Sequence, residues 1–307
     1  MTAAVSFADV SRGYADVVAL NGLTFEVAPG EMFGLIGPDG AGKTTAIRLA
    51  CGLLHADSGQ VRVLGLDPVR QHRQLTGDVG YLSQRFSLYG DLSIDENVAF
   101  FAEVHGVPRY QARRDQLLEM MHLTPFRARR ADRLSGGMKQ KLALACTLVH
   151  EPRLLLLDEP TTGVDPVSRR EFWKLLSEFL AEGMTIVMST PYLDEAERCS
   201  RVALVHHGKA LAVDEPRRLR ARVPGSLLEL LAPGGARVLD RVRAMSGVES
   251  AQSFGERIHV HLAQPGEAGE AAFLDALRQT PLASAAVRRV PPSLEDVFIA
   301  AITESGS

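Results

Sequence analysis

The residues with the plainest chemical meaning are Gly37-Pro-Asp-Gly-Ala-Gly-Lys-Thr44: a glycine, four residues, then Gly-Lys-Thr. Glycines let successive backbone N–H groups curl around phosphate oxygens, and a helix starting there adds its partial positive end. Lys43 can reach the outer phosphates of a nucleoside triphosphate, and the Thr44 hydroxyl can ligate magnesium. A second candidate is Leu154-Leu-Leu-Leu-Asp158-Glu159, with two carboxylates closing an apolar run. Asp158 there can hold magnesium through water, and Glu159 can orient or deprotonate an attacking water. The third is Leu134-Ser-Gly-Gly-Met-Lys-Gln140, where Ser135, Gly136 and Gly137 open a helix and make another anion-binding end.

Such groups work only if regular elements aim them. Short apolar runs bounded by turn residues recur at Met32 to Ile36, Val79 to Leu82, Leu154 to Leu157 and Thr185 to Met188, with helical stretches between several of them. That alternation predicts a parallel sheet with helices on its faces. Four consecutive apolar residues before Asp158 predict a central strand buried on both sides. The phosphate-binding run then lies between a strand and a helix beginning near Lys43, the context it needs. The segment from Ser135 predicts an amphipathic helix with apolar positions at Met138, Leu142, Ala145, Leu148 and Val149.

Near Asp214-Glu-Pro-Arg-Arg the pattern changes. Ser226 to Leu231, Ala236 to Met245, Arg257 to Leu262, Ala271 to Gln279 and Ala283 to Val290 read as strand, helix, strand, helix, strand. Turns at Pro224-Gly, Pro233-Gly-Gly and Pro265-Gly punctuate them, and a closing helix follows a Ser293 cap. The chain therefore divides into residues 1–215 and a small α+β domain over 216–307, as expected of 307 residues.

Composition is ordinary for a globular protein, 46% apolar and 23% charged. A net charge of -3 gathers no nucleic acid, and the basic run Arg127 to Arg133 reads as a solvated face. Cys51, Cys146 and Cys199 lack metal or disulfide spacing and suit a reducing compartment as buried small side chains. No basic-then-apolar leader opens the sequence and no window approaches 18 uninterrupted apolar residues, so neither a secretion signal nor a membrane span is expected.

The phosphate loop, LSGGMKQ and LLLLDEP, in this order and spacing, resemble the nucleotide-binding cassette of ABC transporters over roughly residues 4 to 215. The resemblance implies a P-loop NTPase fold: a mostly parallel core sheet, an antiparallel N-terminal subdomain and a helical signature subdomain. It implies ATP and Mg2+ as cofactors, with nucleotide contacts from Gly37, Pro38, Asp39, Gly40, Ala41, Gly42, Lys43, Thr44 and Thr45. Tyr14 falls where an aromatic ring stacks on adenine, and Gln84 where a glutamine contacts magnesium and the attacking water. Magnesium would then be held by Thr44, Gln84 and Asp158, and hydrolysis carried by Glu159, Lys43 and Gln84. Ser135, Gly136 and Gly137 would close over nucleotide held by a second cassette, and Gly163-Val-Asp165-Pro would link the two sites.

One position departs from the family. Members usually read Ser-Thr-His after the strand that follows the carboxylates, but this sequence reads Ser189-Thr190-Pro191. Proline has neither a side-chain donor nor an N–H, so residue 191 cannot contact a γ-phosphate. Losing one preorganised donor costs on the order of 10² to 10³ in rate. None of the nine histidines is an evident substitute, and His206-His207-Gly reads as a solvent-exposed hairpin turn.

The ending Pro-Pro-Ser-Leu-Glu-Asp-Val-Phe resembles drug-resistance-type exporter ATPases that work with separate ABC-2-type permeases, and GPDGAGKTT and PYLDEAERC resemble the first cassette of tandem-cassette exporters. In that subgroup the first cassette also lacks the switch histidine. The stretch after Gln84, Leu88 to Asn97, is similar to the surface where a permease docks. The implied partners are an integral-membrane permease and a second cassette, different in sequence or a second copy, at the cytoplasmic face of the membrane. A mainly regulatory nucleotide-binding subunit is the alternative within the same fold. Soluble cassettes of DNA repair insert a long coiled coil between the motifs, whereas about 90 residues without heptads separate Lys43 from Ser135 here.

Overall fold

The structure, a computed structural model, describes residues 2–84, 87–222, 227–232, 236–264 and 266–305. The turns read at Pro224-Gly and Pro233-Gly-Gly, together with Pro265 and Ser226, lie outside the described residues. The chain divides into two compact units, Met1–Pro216 and Arg217–Ser307.

The first unit begins with β1 (Val5–Tyr14), β2 (Val17–Val27), β3 (Met32–Ile36), α1 (Lys43–Ala50) and β4 (Ser58–Val63). The later part of β2 buries every second residue, Leu23, Phe25 and Val27, as a strand with one wet face must. It pairs antiparallel with β1, which pairs with β4, giving a three-stranded sheet. Phe7, Phe25 and Phe33 stack with centroids 4.7 and 5.3 Å apart, tying that sheet to β3 through one apolar column.

After α2 (His72–Leu75) come β5 (Val79–Leu82), α3 (Ile94–Val104), α4 (Gln111–Met120), α5 (Gly136–Leu148), β6 (Leu154–Asp158), α6 (Pro166–Ala181), β7 (Thr185–Thr190), α7 (Leu193–Ala196), β8 (Arg201–His206) and β9 (Lys209–Asp214). The core sheet runs β5-β6-β7-β3-β8-β9, parallel except for β9. Every residue of β3, β6 and β7 is buried, which explains their unbroken apolar runs. Parallel pairing also brings the strand ends to one edge, with Asp158 opposite Ser189 and Ile36 opposite Thr190. Loops leaving that edge can converge on one ligand.

One expectation for the helices is corrected. α5 is not a one-sided amphipathic helix: Gly137, Gln140, Leu142, Ala143, Leu144, Ala145, Cys146 and Leu148 are buried around most of its circumference, and Met138 is only half-buried. It is a central packing helix, with α3, α4 and α6 against it. The basic run is a solvated face as expected, with Arg129, Arg130 and Arg133 exposed, and at its start Arg127 bonds Asp95 at 2.9 Å and Asp115 at 2.7 Å.

In the second unit, α8 (Pro216–Arg222) starts at the boundary, and β10 (Leu227–Leu231), α9 (Ala236–Arg243), β11 (Val248–Phe254), β12 (Arg257–Leu262), α10 (Glu267–Arg278), β13 (Ala286–Val290) and α11 (Leu294–Ser305) follow. Its antiparallel sheet runs β11-β12-β10-β13, a split βαβ pattern. The sequence reading missed β11, because Val-Glu-Ser-Ala-Gln-Ser-Phe is an edge strand with no apolar run. Leu228, Leu230, Val260 and Leu262 meet Val242, Phe273 and Leu277 in a separate core.

Candidate functional site

The parallel strand ends build the site. β3 runs into Gly37, and Gly37 N–H donates to Thr190 O at 3.4 Å, so the loop starts against the end of β7. Pro38, Asp39 and Gly40 are exposed at the mouth, while Gly37, Ala41 and Lys43 are buried. Gly42, at the N-cap of α1, has φ of 101°, and a Cβ there would sit 2.3 Å from Ala19 O, so only glycine fits. Past it, the N–H groups of Lys43, Thr44 and Thr45 open α1 without partners from a preceding turn.

The charged groups are nearly dry. Lys43 is 4% exposed, and its ammonium donates to Gly37 O at 2.9 Å and Pro38 O at 3.0 Å and lies 3.3 Å from Glu159 Oε1. Glu159 Oε2 accepts from Gln84 Nε2 at 3.0 Å and Thr162 Oγ1 at 3.4 Å. Its own backbone is left-handed, φ 47°, a strained setting for a non-glycine residue. Glu159 N–H is held at Ser189 O (3.1 Å) and Ser189 Oγ (3.0 Å). Gln84 itself is exposed and lies two residues beyond the end of β5.

Asp158 is 1% exposed. Its Oδ1 accepts from Thr44 Oγ1 at 3.0 Å and Ser189 Oγ at 2.7 Å, but its Oδ2 is buried without a partner. A buried lone carboxylate oxygen beside a threonine hydroxyl is the donor set a hard cation takes, so these residues fit magnesium. The structure thus brings Lys43, Thr44, Gln84, Asp158 and Glu159 into one connected group.

Residues 20–162 match the family model described as ABC transporter. The chain is 36% identical over 303 residues to Nod factor export ATP-binding protein I of Paraburkholderia xenovorans (strain LB400), covering 97% of this chain and 96% of that protein. The chain belongs to the ABC transporter family. It is 39% identical over 297 residues to the probable multidrug ABC transporter ATP-binding protein YbhF of Escherichia coli (strain K12), covering 95% of this chain and only 50% of that protein. The chain therefore spans about half the length of that relative. A solved structure of an ATP-binding subunit of an ABC transporter shares the fold at a TM-score of 0.66 and 30% identity, covering 72% of this chain and 93% of that one. The first unit is the family's ATP-binding, ATP-hydrolysing cassette.

Other ABC motif residues sit apart from that group. Ser135 and Gly136 are exposed at the start of α5, where Ser135 Oγ caps the helix by accepting from Met138 N–H at 3.3 Å. Gly137 is buried, and a Cβ there would fall 2.2 Å from Ser168 Oγ, so glycine lets α5 lie against the start of α6. No hydrogen bond or ion pair among the described residues joins Ser135 to Gly137 with the phosphate loop. Asp165 caps α6 through Val167 N–H and Ser168 N–H, both at 3.0 Å. Bonds from Ser168 above all hold its carboxyl below the usual range.

Tyr14 ends β1 and is 39% exposed, with the Arg12 guanidinium 5.2 Å from its ring centroid. Asp57 steadies this corner by accepting from Gly13 N–H and Arg12. Tyr192, next to Pro191, has its ring under the Arg169 guanidinium at 4.8 Å and its N–H on Thr190 Oγ1 at 3.1 Å.

Sequence reasoning missed Ser189 as the residue joining the Asp158 carboxylate to the Glu159 backbone amide. The available signal was a Ser-Thr pair ending an otherwise apolar buried strand. The hairpin after β8 is the turn expected, but it does more than face solvent. His207 is exposed, but Gly208 is buried and braces the phosphate loop through its N–H on Ala41 O at 3.1 Å. The cysteines are buried, and burial pushes all three thiols up, Cys199 to about 12.

Proposed function

We propose that this chain energises an ABC-type membrane exporter of the drug or multidrug efflux type, and that its own nucleotide site is the slow half of an asymmetric pair of cassettes. Pro191 carries the second part: it follows Ser189 and Thr190 directly, at the point where the chain leaves the site edge. Tyr192 does not substitute, because its ring and N–H are engaged with Arg169 and Thr190. Names of the relatives, multidrug and Nod factor export, support export as the direction. The twofold length of the Escherichia coli relative is what a tandem pairing of cassettes requires.

In this reading the amides from Gly40 to Thr45 and the Lys43 ammonium hold the phosphates of ATP, and Tyr14 supports the adenine. Thr44, Gln84 and Asp158 would hold Mg2+, which when bound neutralises charge on the β- and γ-phosphates. Glu159, aimed by Gln84 and Ser189, orients the attacking water and takes its proton. Ser135, Gly136 and Gly137 act on the partner cassette's nucleotide, so this chain can complete a fast site elsewhere while hydrolysing slowly at its own.

Docking to a separate ABC-2-type permease is supported by a cleft of about 230 Å3 lined by Leu53, Leu75, Tyr81, Phe101, His105 and His150. His105 and His150 stack at 3.9 Å. Burial lowers both, and His150 is pushed down to about 4, so this pair favours the neutral form and suits an apolar segment. Among the described residues no helix is long and apolar enough to cross a membrane. The second unit serves as an accessory or regulatory domain.

The test compares MgATP hydrolysis by the wild type and Pro191→His. A gain of about tenfold or more supports the slow-site reading, in line with restoring one preorganised donor. A fast wild type that histidine leaves unchanged replaces it with a self-sufficient homodimer.

A further inference from the structure

Glu195 has no role in the account above, yet it is 1% exposed and collects donors from Thr161, Trp173 and Thr190, with Arg169 close by. It lies in α7, four residues after Pro191. Its Oε1 accepts from Thr161 Oγ1 at 2.5 Å and Trp173 Nε1 at 3.5 Å, with Arg169 Nε at 3.8 Å. Its Oε2 accepts from Thr190 Oγ1 at 2.7 Å.

Its two threonine partners lie where the chain leaves the site, one after β6 and one at the end of β7. Thr161 lies two residues past Glu159, in the turn leading to α6, while Thr190 ends β7 next to Pro191. The chain separations, 34 residues to Thr161 and 5 to Thr190, make this a clasp between distant segments. Glu159 needs such a clasp because its left-handed backbone, φ 47°, persists only if its surroundings over-determine it. Ser189 holds Glu159 from the amide side, and Glu195, through Thr161, holds the residues that follow.

We propose that Glu195 is a positioning residue for hydrolysis: clasping Thr161 and Thr190, it fixes the two segments leaving the reaction centre and sets the angle at which Glu159 meets water. The proposal rests on the reading of Glu159 as the general base. Pro191 gives it weight in this chain, since a proline has neither a backbone N–H nor a polar side chain to tie its segment down. Displacing a catalytic group by about 1 Å can cost on the order of 10²-fold, so a lost clasp acts on turnover and not on nucleotide affinity.

Steady-state kinetics on the full chain test this with Glu195→Gln, Thr161→Val and Thr190→Val, each checked for folding by thermal melt. Glu195→Gln should lower kcat about tenfold or more and leave KM within about twofold. Each valine variant should do the same to a lesser degree, and each should add little in combination with Glu195→Gln, because all three break one clasp. Trp173, the only tryptophan, donates to Glu195 and reports its surroundings. Its emission should respond to MgATP in the wild type and respond less in Glu195→Gln at saturating nucleotide. A folded Glu195→Gln with wild-type kcat, or a kcat loss matched by KM, overturns the proposal, as does additivity of the valine variants with it. Should Glu195→Gln fail to fold, the two valine variants decide alone by the same kcat and KM criterion. Glu159→Gln, measured alongside, separates the two ideas: if it retains full turnover, the general-base reading fails on its own.

Discussion

Both units bury charge, and they treat it differently. In the second unit Glu229 bonds Arg288 at 2.7 Å and lies near Arg257 and His259, at 3.5 and 3.6 Å. Asp296 accepts from His259 at 3.0 Å, from Ser293 N–H at 2.8 Å and from Ser293 Oγ at 2.6 Å. All four carboxylate oxygens are occupied, as in a structural network. In the cassette Asp158 keeps a buried oxygen without a partner, and Glu159 sits on a strained backbone. Satisfied charge marks where the chain has finished its work in folding. Unsatisfied charge and strain mark where a ligand and a reaction complete it.

The sharpest way to break this contrast is Glu159→Gln. Turnover should fall about 10³-fold while MgATP binding, followed by equilibrium titration, persists, because the amide keeps an oxygen for Lys43. A variant that loses binding and turnover together would make Glu159 another structural carboxylate.

Asp296→Asn should do the reverse, lowering the melting transition of the second unit by about 2–4 kcal/mol of stability and leaving hydrolysis per folded molecule unchanged. The pH dependence sharpens the point. Burial raises the Asp296 carboxyl, but contacts from His261, Ser293 and His259 outweigh it and hold the group far below its usual value of 3.8. The Arg288 bond, against burial, lowers Glu229 from 4.5. Both bind protons less tightly when folded, so their stabilisation is complete above about pH 4.5 and is lost as pH falls through and below the ordinary carboxylate range. Melting curves between pH 3 and pH 7 should show that loss in the second unit, and Asp296→Asn should flatten it.

The smallest effect concerns Gln140, which is 1% exposed on α5 with both amide atoms lacking partners. If it is merely unsatisfied, Gln140→Leu should raise stability by about 1 kcal/mol in a thermal melt without altering hydrolysis. A loss of turnover there would place Gln140 with Asp158 among the groups awaiting a partner.

Where the sequence was legible, a single element carried the whole signal. β3, β6 and β7 are buried on both faces, so their apolar runs stand out, and the phosphate loop is contiguous from Gly37 to Thr44. β11 was illegible because an edge strand needs no apolar run. Ser189 and Glu195 were illegible for another reason: their meaning lies in contacts 31 residues back to Asp158 and 34 back to Thr161, which no local pattern encodes. α5 misled because a helix buried around most of its surface still shows apolar residues at amphipathic spacing.

The arrangement around Lys43 bears on how the cycle ends. An ammonium has three protons, and Gly37 O, Pro38 O and Glu159 give all three an acceptor within the chain. Without nucleotide the ammonium is therefore no bare cation in a dry pocket. On the reading proposed above, release and reloading of nucleotide would be an exchange of acceptors at Lys43 and not a loss of them.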